Sequence, residues 1–157
     1  MLTKKESYNV AVVGATGIVG ESLLDILYSR RFPISSIHAV ASTKSKGSKA
    51  KFGDQLLTVE SLDEFNFTDI DIAFFSAGSS VSKEYATKAT TQGCIVIDNT
   101  SEFRYEQDIP LVVPEVNPQD IDLYKHKNII ANPNCSTIQM LVALKPLHDT
   151  FLSLIHI

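Results

Sequence analysis

Residues Tyr8 to Gly20 read YNVAVVGATGIVG, and this stretch decides the fold. Tyr8 to Val13 is a short β-branched run that stops at Gly14, the pattern of a buried strand. From Ile18 onward the spacing changes to that of a helix, with Val19, Leu23, Ile26 and Leu27 on one face, and Arg30, Arg31 and Pro33 end it. Between the two elements lie three glycines spaced GxxGxxG. Gly14 permits a sharp bend, Gly17 lets the backbone approach a pyrophosphate, and Gly20 allows the helix to pack tightly on the strand. The helix N-terminus then presents free N–H groups to an anion. With a strand before it and an amphipathic helix after it, the turn reads as a dinucleotide-binding fingerprint.

The next strand, Ile37 to Ala41, carries the cofactor choice. NAD binders place an Asp or Glu about 20 residues past the fingerprint, on the ribose 2′-hydroxyl. Here the strand runs into Ser42-Thr43-Lys44-Ser45, with no acid until Asp54. The hydroxyls of Ser42 and Ser45 and the Lys44 ammonium suit a 2′-phosphate, which an acid would repel. NADP is the expected cofactor.

Farther along, apolar runs alternate with amphipathic stretches, and the alternation predicts a doubly wound α/β sheet, mostly parallel and of the Rossmann type. The region Ser42–Lys51 reads as a polar loop and Gln55–Val59 as a short strand. Asp71–Phe75 reads as a buried strand closing on Ser76-Ala77-Gly78. Ser82–Gln92 is a helix with Tyr85 and Ala89 inward, stopped by Gly93. Cys94–Ile97, Leu111–Val113 and Asn128–Ala131 read as further strands, and Ser136–Leu147 as a helix apolar on most faces.

Composition narrows the function. A chain of 157 residues, 44% hydrophobic, has the size of one domain. Its 14 basic residues against 18 acidic ones give a net charge of −4, which argues against nucleic acid as a partner. No apolar run approaches the ~20 residues that span a bilayer, and the N-terminus lacks the pattern of a secretory signal. Two cysteines in unlike contexts make no disulfide framework. The composition reads as that of a soluble, cytoplasmic chain in a reducing compartment, with no metal and no membrane partner expected, and it leaves the chemistry open.

Cys135 lies in Asn132-Pro133-Asn134-Cys135-Ser136-Thr137, between an apolar run and a helix. A helix start favours thiolate over thiol. A thiolate beside a nicotinamide can attack a carbonyl and hold the adduct for hydride transfer. Asn134 and Ser136 support that turn. Cys94, by contrast, reads as a small buried hydrophobe. The loop Asp98–Arg104 follows the carboxyl end of a strand, where open α/β sheets bind ligands, and Arg104 there can take a phosphate or carboxylate in two-pronged fashion.

Together these segments resemble the aspartate-semialdehyde dehydrogenase family from about Tyr8 to about His148. The matching pieces are GATGIVG at Gly14–Gly20, SAGSS at Ser76–Ser80, DNTSEFR at Asp98–Arg104, PLVVPEVN at Pro110–Asn117 and NPNCSTIQM at Asn132–Met140. The resemblance implies reversible, NADP-dependent conversion of L-aspartyl 4-phosphate to L-aspartate 4-semialdehyde and phosphate, in lysine, threonine and methionine biosynthesis. It implies Cys135 as the residue that becomes the acyl-thioester and Arg104 as the phosphate ligand. It also implies cofactor contacts from Gly14, Thr16, Gly17, Ile18, Val19, Lys44, Ser45, Ser76, Ala77 and Gly78.

The departures from the family matter equally. Members continue into a second, catalytic and dimerising domain that supplies a general-base histidine, and they are homo-oligomers. No such domain is expected within these 157 residues, and His148 and His156 follow Cys135 too soon to replace the base. The expected organisation is a cofactor domain over 1–134, the opening of the catalytic domain over 135–150 and an atypical tail over 151–157, as in an N-terminal half that is inactive alone. Two alternatives are a non-catalytic NADP-binding or redox-sensing module, and the sibling N-acetyl-glutamyl-phosphate reductase, whose nucleophile turn carries Gly in place of Asn134.

Overall fold

A computed structural model of the chain describes residues 4–151, so the expected tail, Phe151 apart, and His156 lie outside the described residues. The elements are β1 (Tyr8–Val13), α1 (Ile18–Ser29), β2 (Ile34–Ala41), β3 (Lys49–Phe52), β4 (Gln55–Thr58), β5 (Glu60–Ser61), β6 (Ile72–Phe75), α2 (Ser79–Thr91), β7 (Ile95–Asp98), β8 (Ile129–Ala131) and α3 (Cys135–Phe151). Six strands form one parallel sheet in the order β5-β2-β1-β6-β7-β8, and β3 and β4 form a separate antiparallel hairpin. The order reverses between β1 and β6. In such sheets ligands bind in the crevice beyond the carboxyl ends of the strands at that reversal.

Both faces of the sheet are covered near its centre, as a parallel sheet requires. Side chains alternate along each strand. Val10 and Val12 therefore pack with Leu24 and Leu27 of α1, while Ala11, Val13, Phe75 and Val96 pack with Ala86 and Ala89 of α2. Cys94 is fully buried on the α2 side. Desolvation, with a smaller push from the charge of Asp71, raises its thiol pKa to about 12.

Five expectations need correction. In α1 the buried seam is Gly20, Leu24 and Leu27, and Val19 and Ile26 are each 49% exposed. At the start of this helix Ile18 and Val19 stay outside the core, with Val19 on the crevice beyond the strand ends. The loop expected over Ser42–Lys51 contains a short 3-10 turn and then β3, whose Lys49–Thr58 and Ala50–Leu57 pairs close the hairpin against α1. The interspersed Lys, Ser and Gly obscured its alternation. Leu111–Val113 is no strand, since only one isolated bridge joins Leu111 to Ala131. α2 starts at Ser79, three residues earlier than expected, and α3 runs from Cys135 through Pro146 to Phe151.

α3 stands clear of the sheet. None of its residues is buried, and Met140, Leu144, Leu147 and Phe151 are exposed. Among the described residues, no helix is long and apolar enough to cross a membrane.

Candidate active site

Because every strand of the main sheet runs the same way, five motifs arrive on one edge of it. In sheet order they are Ser42–Ser45 after β2, Gly14–Gly17 after β1, Ser76–Gly78 after β6, Asn99–Arg104 after β7 and Asn132–Cys135 after β8. With strands ~4.8 Å apart, the row extends roughly 19 Å. Segments far apart in sequence thus become neighbours through the topology alone.

The glycine turn is shaped by backbone constraints. Gly14 adopts φ +90°, a left-handed conformation that side chains disfavour, and a β-carbon there would lie 2.9 Å from Ser76 Oγ. The Gly17 N–H closes the turn on the Gly14 carbonyl at 3.0 Å. A β-carbon on Gly17 would meet only that same oxygen, at 3.4 Å, so its outer side is open. Thr16, Ile18 and Val19 are exposed around it. Gly78 opens α2 with φ +98°, and a β-carbon added there would have nothing within 4 Å. Ala77 beside it is exposed. The starts of α1 and α2 therefore present bare backbone to the crevice.

After β2, Ser42 leads into the 3-10 turn Thr43–Ser45. Thr43, at the surface, donates to Asp63 Oδ2 at 2.6 Å, while Tyr85 of α2 donates to Asp63 Oδ1 at 2.7 Å. The Thr43 and Tyr85 hydroxyls hold the Asp63 carboxyl below its ordinary pKa. An acid does therefore stand near this turn, brought by the segment after β5 where sequence spacing could not locate it. Its oxygens are engaged by these hydroxyls. Lys46 is tied to Glu64 at 2.6 Å, whereas the Lys44 ammonium has no partner among the described residues.

At the other end of the row, Arg104 and Cys135 line one cavity of about 450 Å³, with Val19, Ser76, Gly78 and Asn134 also in its wall. Arg104 is half-buried and clamped by two backbone carbonyls: Nε donates to Asn132 O and Nη2 to Asn99 O, each at 3.1 Å. Of five guanidinium N–H donors, three remain without a protein acceptor among the described residues. Cys135 is exposed and is the first residue of α3. Asn134 caps this helix, its Oδ1 accepting the Ser136 N–H at 3.0 Å and its carbonyl the Ile138 N–H at 3.0 Å.

Several residues of this cavity were not singled out by sequence. Asn99, Ser101 and Asn132 line it, and the Asn132 side chain bonds to that of Asn99 across the β7–β8 junction. Ser79 and Ser101 hydroxyls meet at 3.0 Å, joining the start of α2 to the Arg104 loop. The signal for them was placement at strand carboxyl ends, which required the strand order. A larger hollow of about 600 Å³ runs along the exposed apolar side of α3, lined by residues such as Leu141, Leu144 and Phe151. It lacks the convergent polar groups of the Arg104–Cys135 cavity. Among the described residues, no three His, Cys, Asp or Glu side chains are grouped to hold a metal ion.

Comparison with known proteins matches residues 9–124 to the family described as semialdehyde dehydrogenase, NAD binding domain. A curated aspartate-semialdehyde dehydrogenase of Legionella pneumophila is 58% identical over 141 residues, 90% of this chain and 41% of its own length. The crystal structure of aspartate semialdehyde dehydrogenase II of Vibrio cholerae, complexed with ASA, superimposes with a TM-score of 0.89 at 52% identity. It covers 91% of this chain and 47% of that one. The Candida albicans enzyme solved with NADP gives a TM-score of 0.77 at 30% identity, covering 92% and 47%. The chain spans less than half the length of these relatives.

Proposed function

The chain belongs to the semialdehyde dehydrogenase family through its NAD-binding domain, and we propose that it serves the NADP-dependent reductive dephosphorylation of L-aspartyl 4-phosphate to L-aspartate 4-semialdehyde. The observation that carries this reading is one cavity in which a clamped arginine, with three donors that meet no acceptor among the described residues, shares a wall with an exposed, helix-starting cysteine. An acyl phosphate has two parts to recognise, and the two residues answer them.

The residues along the sheet edge fit NADP. The open backbone at Gly17 and Gly78 leaves room for a pyrophosphate and a nicotinamide ribose, and Ser42, Lys44 and Ser45 supply hydroxyls and an ammonium for a 2′-phosphate. When bound, the cofactor supplies the hydride that reduces the acyl group to the aldehyde.

Cys135 attacks the acyl carbon through Sγ. The S–C bond forms and the C–O bond to phosphate breaks, the phosphate leaving with that electron pair. Arg104 receives it through its remaining N–H groups, whose planar fork matches a phosphate edge. Peptide N–H groups in the first turn of α3 face the carbonyl oxygen as charge develops on it. On reduction the C–S bond breaks and the sulfur leaves as thiolate, restoring the nucleophile. Asn134 keeps the turn in register throughout.

Among the described residues, the wall of this cavity contains no His, Lys, Asp or Glu side chain. A proton-transfer group and a site for the amino-acid end of the substrate therefore have to come from outside it, consistent with relatives more than twice as long. On this reading residues 1–134 are the cofactor-binding part and α3 opens the catalytic part.

Phosphate-dependent NADPH formation from the semialdehyde, measured beside iodoacetamide labelling of wild type and Cys135→Ser, tests the proposal. Labelling at Cys135, slowed by inorganic phosphate, without steady turnover by this chain alone, is the expected result. Label on Cys94 in place of Cys135, or labelling of Cys135 that phosphate leaves unchanged, overturns it, whereas robust turnover by the purified chain overturns only the expectation that this chain is inactive alone.

A further inference from the structure

Asp98 ends β7 and is completely buried, yet no cation lies against it among the described residues. Its partners are two hydroxyls. Ser82 of α2, also fully buried, donates to Oδ1 at 2.6 Å, and Thr100, 8% exposed, donates to Oδ2 at 2.7 Å. A carboxyl group in a core is costly beside an apolar side chain of similar size. Here it adjoins the cluster of Val96, Phe75 and Ala86, where an aliphatic residue would pack without that cost. Stability does not account for its presence.

Its connections lead to Arg104. The Asp98 carbonyl accepts the Asn132 N–H at 2.8 Å, and the Asn132 carbonyl in turn accepts Arg104 Nε. The next residue, Asn99, holds the ladder to Phe75 and gives its own carbonyl to Arg104 Nη2. Thr100 is drawn inward by the carboxyl and accepts the Glu102 N–H at 3.2 Å, which fixes the bend of the loop two residues before Arg104. Both acceptors that aim the guanidinium are thus anchored at Asp98, one through its backbone and one through the side-chain bond to Thr100. Ser82 ties the same carboxyl to α2, whose first residue, Ser79, meets the loop again at Ser101.

We propose that Asp98, held between Ser82 and Thr100, is a positioning residue that sets the Arg104 guanidinium for the phosphate end of the substrate. This rests on the reading of Arg104 as a phosphate ligand. A hydroxyl–carboxyl bond has one short, directional geometry, so it locates the loop more narrowly than aliphatic packing does.

The test uses inorganic phosphate as probe and its protection of Cys135 from iodoacetamide as readout, in the chain as it exists. Thr100→Val keeps the shape and removes the donor, while Thr100→Ser keeps the donor. The phosphate concentration for half-protection is expected to rise about tenfold or more in Thr100→Val, the size of losing one hydrogen bond between the Arg104 guanidinium and the phosphate. It should return to within about threefold of wild type in Thr100→Ser, with both variants melting cooperatively. A merely structural role would lower the melting temperature of Thr100→Val and leave half-protection where it was. That outcome overturns the inference, as does failure of Thr100→Ser to restore protection. Wild type that phosphate does not protect at all overturns the Arg104 reading together with this one. Protection that is lost in Arg104→Ala but unchanged in Thr100→Val overturns this inference alone.

Discussion

Gly20 packs its α-carbon directly onto the Gly14 carbonyl: a β-carbon added at Gly20 would lie 2.1 Å from that oxygen and 2.7 Å from the Ala15 α-carbon. Both obstacles are backbone, so nothing flexible can give way. Helix α1 can sit this close to β1 only because residue 20 has no side chain.

Gly20→Ala should therefore push α1 off the sheet and cost about 3 kcal/mol or more, or prevent folding. Gly17→Ala should cost less than about 1 kcal/mol, since its added carbon meets the Gly14 oxygen at 3.4 Å and nothing else. It should nevertheless weaken NADPH binding by filling the open side of the turn. Chemical denaturation and a nucleotide titration of each variant separate the two effects. Equal stabilities would count against the packing argument.

The two cysteines should react very differently. Burial pushes the Cys94 thiol pKa up to about 12, so at pH 8 only about 10⁻⁴ of it is thiolate. Alkylation of the native chain should mark Cys135 alone, and Cys94 should react once denaturant is added. The same shift affects stability at high pH. In the unfolded chain the thiol ionises near about pH 8.5, so its contribution is intact below that value and is lost progressively toward about pH 12. Cys94→Ala should flatten this alkaline limb in a series of denaturation curves.

Lys44→Glu should reverse the cofactor preference. If Lys44 holds the 2′-phosphate, replacing its ammonium, which has no partner among the described residues, by a carboxylate turns attraction into repulsion, and about tenfold or more should separate the variant from wild type in the NADPH/NADH ratio. Calorimetry with both nucleotides measures it. An unchanged ratio would place the 2′-phosphate elsewhere.

Asp71 should shape the acid limb. Burial pushes its carboxyl pKa up, but the Lys5 ammonium at 2.6 Å and the Asn9 N–H at 2.9 Å outweigh this and hold it below the usual value. A lowered native pKa adds stability above the unfolded value, about 4, which disappears as pH falls through the native one. Melting temperatures measured from about pH 6 to about pH 2 should fall less steeply in Asp71→Asn than in wild type, though the variant starts lower. Parallel curves would show that the pair contributes nothing to acid sensitivity.

Most of the local chemistry was legible in the chain. The glycine turn, the strand it follows, the cysteine turn with its Asn134 cap and the absence of an acid just after β2 depend on residues a few positions apart. A left-handed Gly or a helix cap needs only its immediate neighbours, so the residue types announce them. β3 was obscured because its inward residues, Ala50 and Phe52, alternate with lysines in a segment as polar as a loop. Leu111–Val113 looked like a strand because apolar runs do, but strand formation needs a partner along its length, and Ala131 offers one bridge.

What tertiary structure alone decided was adjacency. Nothing within the sequence segment Asp98–Arg104 says that its first residue will be buried against Ser82, or that Asn132 will reach across to aim Arg104. Nor does the composition of α1 reveal that Val19 faces the ligand crevice and Leu24 the core. These facts follow from the order β5-β2-β1-β6-β7-β8, since a parallel sheet brings every carboxyl end to one edge and so makes a single site from distant loops. By itself the sequence determined the local turns, the glycine conformations and the cap that begins α3. Long-range strand pairing determined which of them touch, because backbone hydrogen bonds between strands set their order and spacing independently of separation along the chain.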